Sequence, residues 1–345
     1  MSAISAEPGQ GPTGPVLDVS GLTVEVHTED VRAEVISDVS FSIGRGETLG
    51  LVGESGSGKS LTSMAIMGLL PKRTFTVTGG RVSLGGDDLT RLSRKELASV
   101  RGARMAMIFQ EPMTSLNPAF TVGQQIAETL VRHKKVSKRE ARRLAVTALS
   151  DVGISAAERR VQAYPHEFSG GMRQRVMIAM ALCCEPELLI ADEPTTALDV
   201  TIQAQVLDLI RHLRETVGMS ILFVTHDLGV VADICDRVVV MYAGQVVEQS
   251  AVDRLFAHPV HPYTAALLRS TPTNDAAGDA RGHLHSIPGK PPAAGEFPHG
   301  CRFAHRCELA LPACSEQEIE LLPVVDQLSR CVRVGATAER REVPA

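Results

Sequence analysis

Gly53-Glu54-Ser55-Gly56-Ser57-Gly58-Lys59-Ser60 fits G-x-x-x-x-G-K-[ST], the pattern of a loop whose backbone amides wrap a phosphate. Before it, Thr48-Leu49-Gly50-Leu51-Val52 reads as a buried strand; after it, Leu61-Thr62-Ser63-Met64-Ala65-Ile66-Met67 reads as a helix. That strand, loop and helix order is the setting the motif needs. Glycine accepts the dihedrals such a wrap demands. The amides then converge on an anion at a helix N-terminus, where the helix dipole favours negative charge. Lys59 is expected to reach the β- and γ-phosphates of a nucleotide, and the Ser60 hydroxyl to ligate Mg²⁺. A glycine-rich turn with a chance lysine would lack the matching flanks.

The chain has 345 residues, enough for two domains or for one large domain with an appendage. The hydrophobic fraction, 44%, supports a sizeable core; with 3% aromatics and no Trp, that core must be Val, Leu, Ile, Ala and Met. Against 35 basic residues stand 40 acidic ones, so a general nucleic-acid binder is not indicated. Residues 1–15 are rich in Gly, Pro, Ser and Ala and are expected to form a flexible tail rather than a signal peptide. No run of about 18 apolar residues occurs, so any membrane role must come through partners. Seven cysteines in a chain expected to stay in the cytosol argue against disulfides.

Outward from the loop, residues 16–19, 21–26 and 35–43 alternate like strands, which predicts a small antiparallel sheet ahead of the nucleotide core. Residues 79–86 read as a further strand, and Met105-Ala106-Met107-Ile108-Phe109-Gln110 as a buried strand ending on a polar side chain. From Thr121 to about Gly153 the apolar spacing is helical, through Ile126, Leu130, Leu144 and Leu149. A basic patch spans residues 133–143; a solvated helix face explains it as readily as a contact surface. The α/β pattern then returns: a strand at Leu188-Leu189-Ile190-Ala191-Asp192, an amphipathic helix over 200–217, and a strand over 220–226 ending at His226. Residues 238–242 and 244–248 look like a hairpin. Such alternation implies a largely parallel sheet with the site at its strand ends.

Asp192, at the tip of its strand, can hold Mg²⁺, and the adjacent Glu193 can orient or deprotonate an attacking water. A capping acid pair before Pro194 is the bland alternative. Gln110 could reach Mg²⁺ and the water, and His226 could sense the γ-phosphate. Phe168-Ser169-Gly170-Gly171-Met172-Arg173-Gln174 opens a helix over 172–182, which makes a second anion-binding helix end. One nucleotide cannot sit on two distant ends of one chain; a dimer that sandwiches ATP between two copies resolves this.

In this order the motifs resemble the nucleotide-binding subunit of an ATP-binding-cassette (ABC) transporter over about residues 17–255. Residues 53–60 resemble its Walker A loop, Gln110 its Q-loop glutamine, Ser169-Gly170-Gly171 its signature and Leu188 to Asp192 its Walker B strand. Glu193 resembles the catalytic glutamate, Ala197-Leu198-Asp199 the D-loop and His226 the switch histidine. The resemblance implies ATP binding by Gly53, Ser55, Gly56, Ser57, Gly58, Lys59, Ser60, Ser169, Gly170, Gly171 and Asp199. It implies Mg²⁺ on Ser60, Gln110 and Asp192, and head-to-tail dimers with each ATP between Walker A of one chain and the signature of the other. The signature departs from L-S-G-G-Q at Phe168 and Met172. Where the family stacks adenine, residues 24–32 offer no aromatic, leaving His27.

The end of the chain narrows the resemblance. His261-Pro262-Tyr263-Thr264-Ala265-Ala266-Leu267-Leu268, Ile287-Pro288-Gly289 and Gly300-Cys301-Arg302-Phe303 with Arg306-Cys307 are similar to the C-terminal extension of dipeptide/oligopeptide ABC importers. Glu111-Pro112-Met113-Thr114-Ser115-Leu116-Asn117-Pro118 also looks like that subfamily, and falls where cassettes touch their permeases. Cys301, Cys307, Cys314 and Cys331 follow C-x5-C-x6-C-x16-C; four thiolates suit a four-iron cluster or tetrahedral zinc. The resemblance favours a [4Fe-4S] cluster with a structural role.

The expected architecture is therefore an α/β P-loop ATPase over residues 16–257. It has an N-terminal antiparallel β-subdomain, a helical subdomain at about 111–167, and a small metal-binding extension over 258–345. The expected function is an ATPase that energises import of di- or oligopeptides. The implied partners are a second ATPase subunit, which the resemblance makes a paralogue, two transmembrane permeases and an extracytoplasmic binding protein. The implied place is the cytoplasmic face of the membrane. The rivals are an importer of the same group for nickel or another small solute, and a soluble ABC ATPase outside transport. A metal or redox sensor built on the cysteines is a third.

Overall fold

Leu17–His27 (β1) and Arg32–Ile43 (β2) alternate inward and outward residues and pair antiparallel. The computed structural model describes residues 14–28, 31–110, 115–196, 199–270 and 286–334. Two later strands, Phe75–Leu84 (β4) and Asp87–Asp88 (β5), complete a four-stranded antiparallel sheet in the order β2-β1-β4-β5. The expected small sheet thus forms, although half of its strands follow the glycine loop. Gly21, at φ 61°, sits where the β1 register shifts, which is why one strand reads as two pieces in the sequence.

Thr48–Val52 (β3) is buried at every residue, as an all-apolar strand inside a parallel sheet should be. Met105–Ile108 (β6), Leu188–Asp192 (β7), Ser220–Thr225 (β8) and Arg237–Tyr242 (β9) run parallel with it, and Gln245–Ala251 (β10) turns back antiparallel on β9. Leu322–Val324 (β11) and Gln327–Ser329 (β12) join beyond β10, so the order among the described residues is β11-β12-β10-β9-β3-β8-β7-β6.

The helices follow the apolar stripes. Lys59–Ile66 (α1) leaves the glycine loop, and Arg94–Val100 (α2) starts on a Ser93–Glu96 capping box. Val122–His133 (α3) and Lys138–Asp151 (α4) bury Ile126, Leu130, Ala141, Ala145 and Leu149 against Gly170–Leu182 (α6), with the short Ala157–Arg160 (α5) between. In the basic patch, Lys134 pairs with Glu185 at 2.8 Å and Arg143 with Glu140 at 2.6 Å. Val200–Val217 (α7) and Leu228–Ile234 (α8) cover the sheet. Val252–Ala257 (α9), Pro262–Arg269 (α10) and Ala313–Glu316 (α11) lie in the C-terminal part. No described helix is long and apolar enough to cross a membrane.

Two cores sandwich the main sheet. Leu49, Leu51, Leu222 and Val224 face the β1–β2–β4 sheet, while Leu189, Ala191, Ile221 and Phe223 face α6 and α7. Each such side chain contributes about 1.5–3 kcal/mol by leaving water. A third core gathers the aromatics: Tyr242, Tyr263 and Phe303 meet with centroids 4.7 to 5.3 Å apart. Three buried arginines rivet the C-terminal segment to the rest. Arg302 donates to Ser37 Oγ at 2.6 Å and to the Ala243 carbonyl, Arg330 to the Val246 carbonyl at 3.0 Å, and Arg306 to Glu54.

Candidate nucleotide site

Four parallel strands lying side by side, β3-β8-β7-β6, end on the same edge of the sheet. In an open parallel sheet that edge is where ligands bind. Their ends deliver the glycine loop, His226, Asp192 with Glu193, and Gln110.

The loop closes on itself around its lysine. Gly58 caps α1 at φ 102°, in the left-handed region, and a Cβ there would come within 2.6 Å of Ile36 Cδ1. Lys59 Nζ donates to the carbonyls of Gly53 at 2.8 Å and Glu54 at 3.0 Å. Burial lowers the Lys59 pKa, opposed by the carboxylates of Glu193, Asp192 and Glu54. A buried ammonium beside carboxylates is poised to take an anionic partner. Ser60 Oγ donates to Asp192 Oδ1 at 3.0 Å, so two of the three expected Mg²⁺ ligands touch. Burial raises the Asp192 pKa, with the adjacent Glu193 adding to it and the Ser60 bond opposing it.

Glu193 collects three side chains. Gln110 Nε2 and Thr196 Oγ1 each donate to its Oε2 at 2.9 Å, and His226 Nδ1 lies 3.2 Å from its Oε1. Burial pushes its pKa up, but the Thr196 and His226 hydrogen bonds and nearby positive charge outweigh that and hold it down. Its backbone sits at φ 46°, a left-handed conformation that costs a non-glycine residue on the order of 1–3 kcal/mol. The bond from its amide to the Val224 carbonyl, 2.9 Å, fixes that turn. Thr196 is the member sequence reading missed; its place three residues after Glu193, on a tight turn, was the available signal.

Ser169 caps α6 without a side-chain hydrogen bond to the helix. Gly170 has open space where a Cβ would stand, whereas at Gly171 a Cβ would come within 2.9 Å of Ile202 Cγ2. Asp199 caps α7 by accepting from the Ile202 amide at 3.0 Å, so Ile202 links the two helix starts. Residues 197 and 198 of the expected D-loop, residues 111–114 of the expected permease-facing loop, and residues 1–13 of the expected tail lie outside the described residues.

The four cysteines of the expected metal centre lie in the C-terminal segment as free thiols. Among the described residues no group of three or more His, Cys, Asp or Glu side chains is arranged to hold a metal. Cys301, Cys307, Cys314 and Cys331 do line one cavity, of about 10 Å³. That is roughly what a single water needs. Burial raises the thiol pKa of Cys301, to about 11, and those of Cys307 and Cys331.

Residues 36–196 match the model of the ABC transporter family, and residues 247–314 match that of the oligopeptide/dipeptide transporter C-terminal region. The chain is 51% identical over 313 residues to a probable peptide ABC transporter ATP-binding protein, y4tR, of Sinorhizobium fredii, covering 91% of this chain and 92% of that one. It is 52% identical over 311 residues to the oligopeptide transport ATP-binding protein OppD of Bacillus subtilis, covering 90% and 86%. A solved structure of the ATP-binding cassette MJ0796, described as dimeric, post-hydrolysis and bound to ADP and phosphate, matches with TM-score 0.61 and 27% identity. It covers 68% of this chain and 98% of that one. The cbiO1 protein of Clostridium perfringens, part of an ABC transporter complex, matches with TM-score 0.60 and 28% identity over 71% of this chain and 91% of that one.

Proposed function

Because the chain belongs to the ABC transporter family, among the peptide ABC transporter ATP-binding proteins, we propose that it hydrolyses ATP to energise uptake of di- or oligopeptides. The observation that carries the ATPase reading is the meeting of Gln110, Thr196 and His226 on Glu193, beside the Ser60–Asp192 contact.

ATP lies with its phosphates in the loop of residues 53–60, the β- and γ-phosphates drawing Lys59 off its two carbonyls. Ser60, Asp192 and Gln110 would hold Mg²⁺, which neutralises charge on the phosphate oxygens. Glu193, kept ionised by its hydrogen bonds, accepts a proton from the attacking water. His226 steadies that carboxylate from the other side. Gly170 and Gly171 open the start of α6 for the γ-phosphate of a nucleotide held by a second ATPase subunit. Ser169, at the cap of α6, belongs to the same surface, and the second subunit offers the equivalent helix start to the nucleotide held here. Asp199 lies next to that joint through Ile202.

On this reading the chain sits on the cytoplasmic face, bound to two permeases, with an extracytoplasmic protein delivering the solute. The second ATPase subunit is a paralogue or another copy. The domain division at about residue 258 belongs to the same proposal. So does a [4Fe-4S] cluster, or zinc, on the four cysteines. Its support is the donor set, four thiols from separate turns lining one cavity; no step of hydrolysis passes through it.

The test is uptake of a labelled tripeptide by cells lacking this chain. Restoration by the wild type and not by E193Q is expected. Uptake of nickel with no peptide uptake would move the assignment to the small-solute reading.

A further inference from the structure

The phosphate loop is gripped from outside by the C-terminal segment, and the grip falls on one residue. Glu54 is the second residue of the loop, a position at which the motif asks for nothing in particular. All three of its polar groups are engaged. Its amide donates to Tyr263 Oη at 2.8 Å. Its carbonyl accepts from Lys59 Nζ at 3.0 Å. Its carboxylate accepts two bonds from Arg306, Nη1 to Oε2 at 2.6 Å and Nη2 to Oε1 at 3.1 Å. That is the two-pronged pairing in which a guanidinium is strongest and most directional.

Arg306 is built to stay in place. Its side chain is 3% exposed. Nε donates to the Pro288 carbonyl at 2.8 Å and Nη1 also to Tyr242 Oη at 3.2 Å. Tyr263 is buried against Tyr242 and Phe303. Both residues lie far along the chain from Glu54, by 252 and 209 positions. A carboxylate in a phosphate-binding loop repels the ligand unless its charge is met. A buried guanidinium is costly unless a carboxylate meets it. Each problem is the other's solution.

We propose that Arg306 and Tyr263 are positioning residues of the ATP site. They act through Glu54, cancelling its charge and fixing the backbone on which Lys59 rests. The proposal depends on the loop being the ATP site and goes beyond that reading by placing two residues of the C-terminal segment in the ATPase. If the contacts merely fasten the segment, losing them lowers stability and leaves nucleotide handling alone.

The experiment measures MgATP turnover and melting of the full-length chain, wild type beside R306Q, E54Q, E54Q/R306Q and Y263F. R306Q should raise the KM for ATP about tenfold, with kcat changed less than about threefold. E54Q/R306Q should recover most of that loss, because no acid remains to repel phosphate. Y263F, which keeps the ring, should raise KM by about threefold. A wild-type KM in R306Q, or a double variant as poor as R306Q, overturns the proposal. If R306Q does not fold, R306K replaces it: the charge stays, the fork goes, and an intermediate KM is expected, a wild-type one being the refutation. A wild-type chain that neither binds MgATP nor turns it over sinks the ATPase reading itself. Turnover with KM unmoved in the variants sinks only this inference.

Discussion

Gln110 Nε2 donates to Glu193 Oε2 at 2.9 Å across 83 residues of sequence, joining the ends of β6 and β7. With Thr196 and His226 on the same carboxylate, Glu193 is held in one orientation at the strand ends. The first prediction follows from that convergence. E193Q keeps the shape and loses the base, so turnover should fall by about 10²–10⁴. Nucleotide binding should persist, and equilibrium binding of labelled ATP measured beside phosphate release checks both. Undiminished release would remove Glu193 from its role.

His226 touches the carboxylate and none of the phosphate-loop bonds found here. H226A should therefore lower kcat by about a hundredfold while KM for ATP stays within about twofold. Steady-state kinetics separate the two. A rise in KM alone would place His226 in binding instead.

Lys59 and the Ser60–Asp192 pair divide the labour in a checkable way. K59A removes the ammonium and should weaken ATP binding by more than about tenfold with or without Mg²⁺. S60A should weaken it only when Mg²⁺ is present, because its loss is felt through the metal. Titrations with and without EDTA distinguish them. Equal losses under both conditions in S60A would contradict its assignment.

Gly171 tests whether the start of α6 is open for packing or for phosphate. A methyl group there comes within 2.9 Å of Ile202 Cγ2, a branch on the stiff χ1 of a helical residue. G171A should thus cost about 1–3 kcal/mol of unfolding free energy. ATPase should nonetheless fall more than about tenfold. Adding I202L, which removes the Cγ2 branch, should recover part of the lost stability and none of the activity. Recovered activity would make the effect one of packing.

The four cysteines make a compositional prediction. Protein purified without oxygen should carry about four irons and four sulfides per chain, and C301S/C307S should carry none and melt earlier. Elemental analysis decides it. One zinc per chain would favour the tetrahedral alternative, and no metal would leave the thiols as packing groups.

Much of this was legible because the chemistry is local. The glycine loop, the strand ending in Asp192-Glu193 and the Ser169-Gly170-Gly171 turn each declare themselves within a few residues. Alternation exposed β1, β2 and the β9–β10 hairpin, though Gly21 split β1 by forcing a register shift. What stayed hidden is non-local. β12 meets β10 over only a few residues, too short for any periodic signal. Glu54 looks like filler within its motif, and nothing near it announces Arg306. The cysteines advertised a donor set, and only the fold shows that all four line one small cavity.

The central strand has a consequence for biosynthesis. β3 pairs with β8 on one side and β9 on the other. The loop it carries is tied to Tyr263 and Arg306. A ribosome makes residues 48–60 early, yet the strands β8 and β9 that flank them, and Tyr263 and Arg306, emerge later. Pairing so distant in sequence is slow to form. A nascent chain holding the loop therefore lacks its flanking strands until β8 and β9 have left the tunnel, and a part made among the first is completed well after it is made.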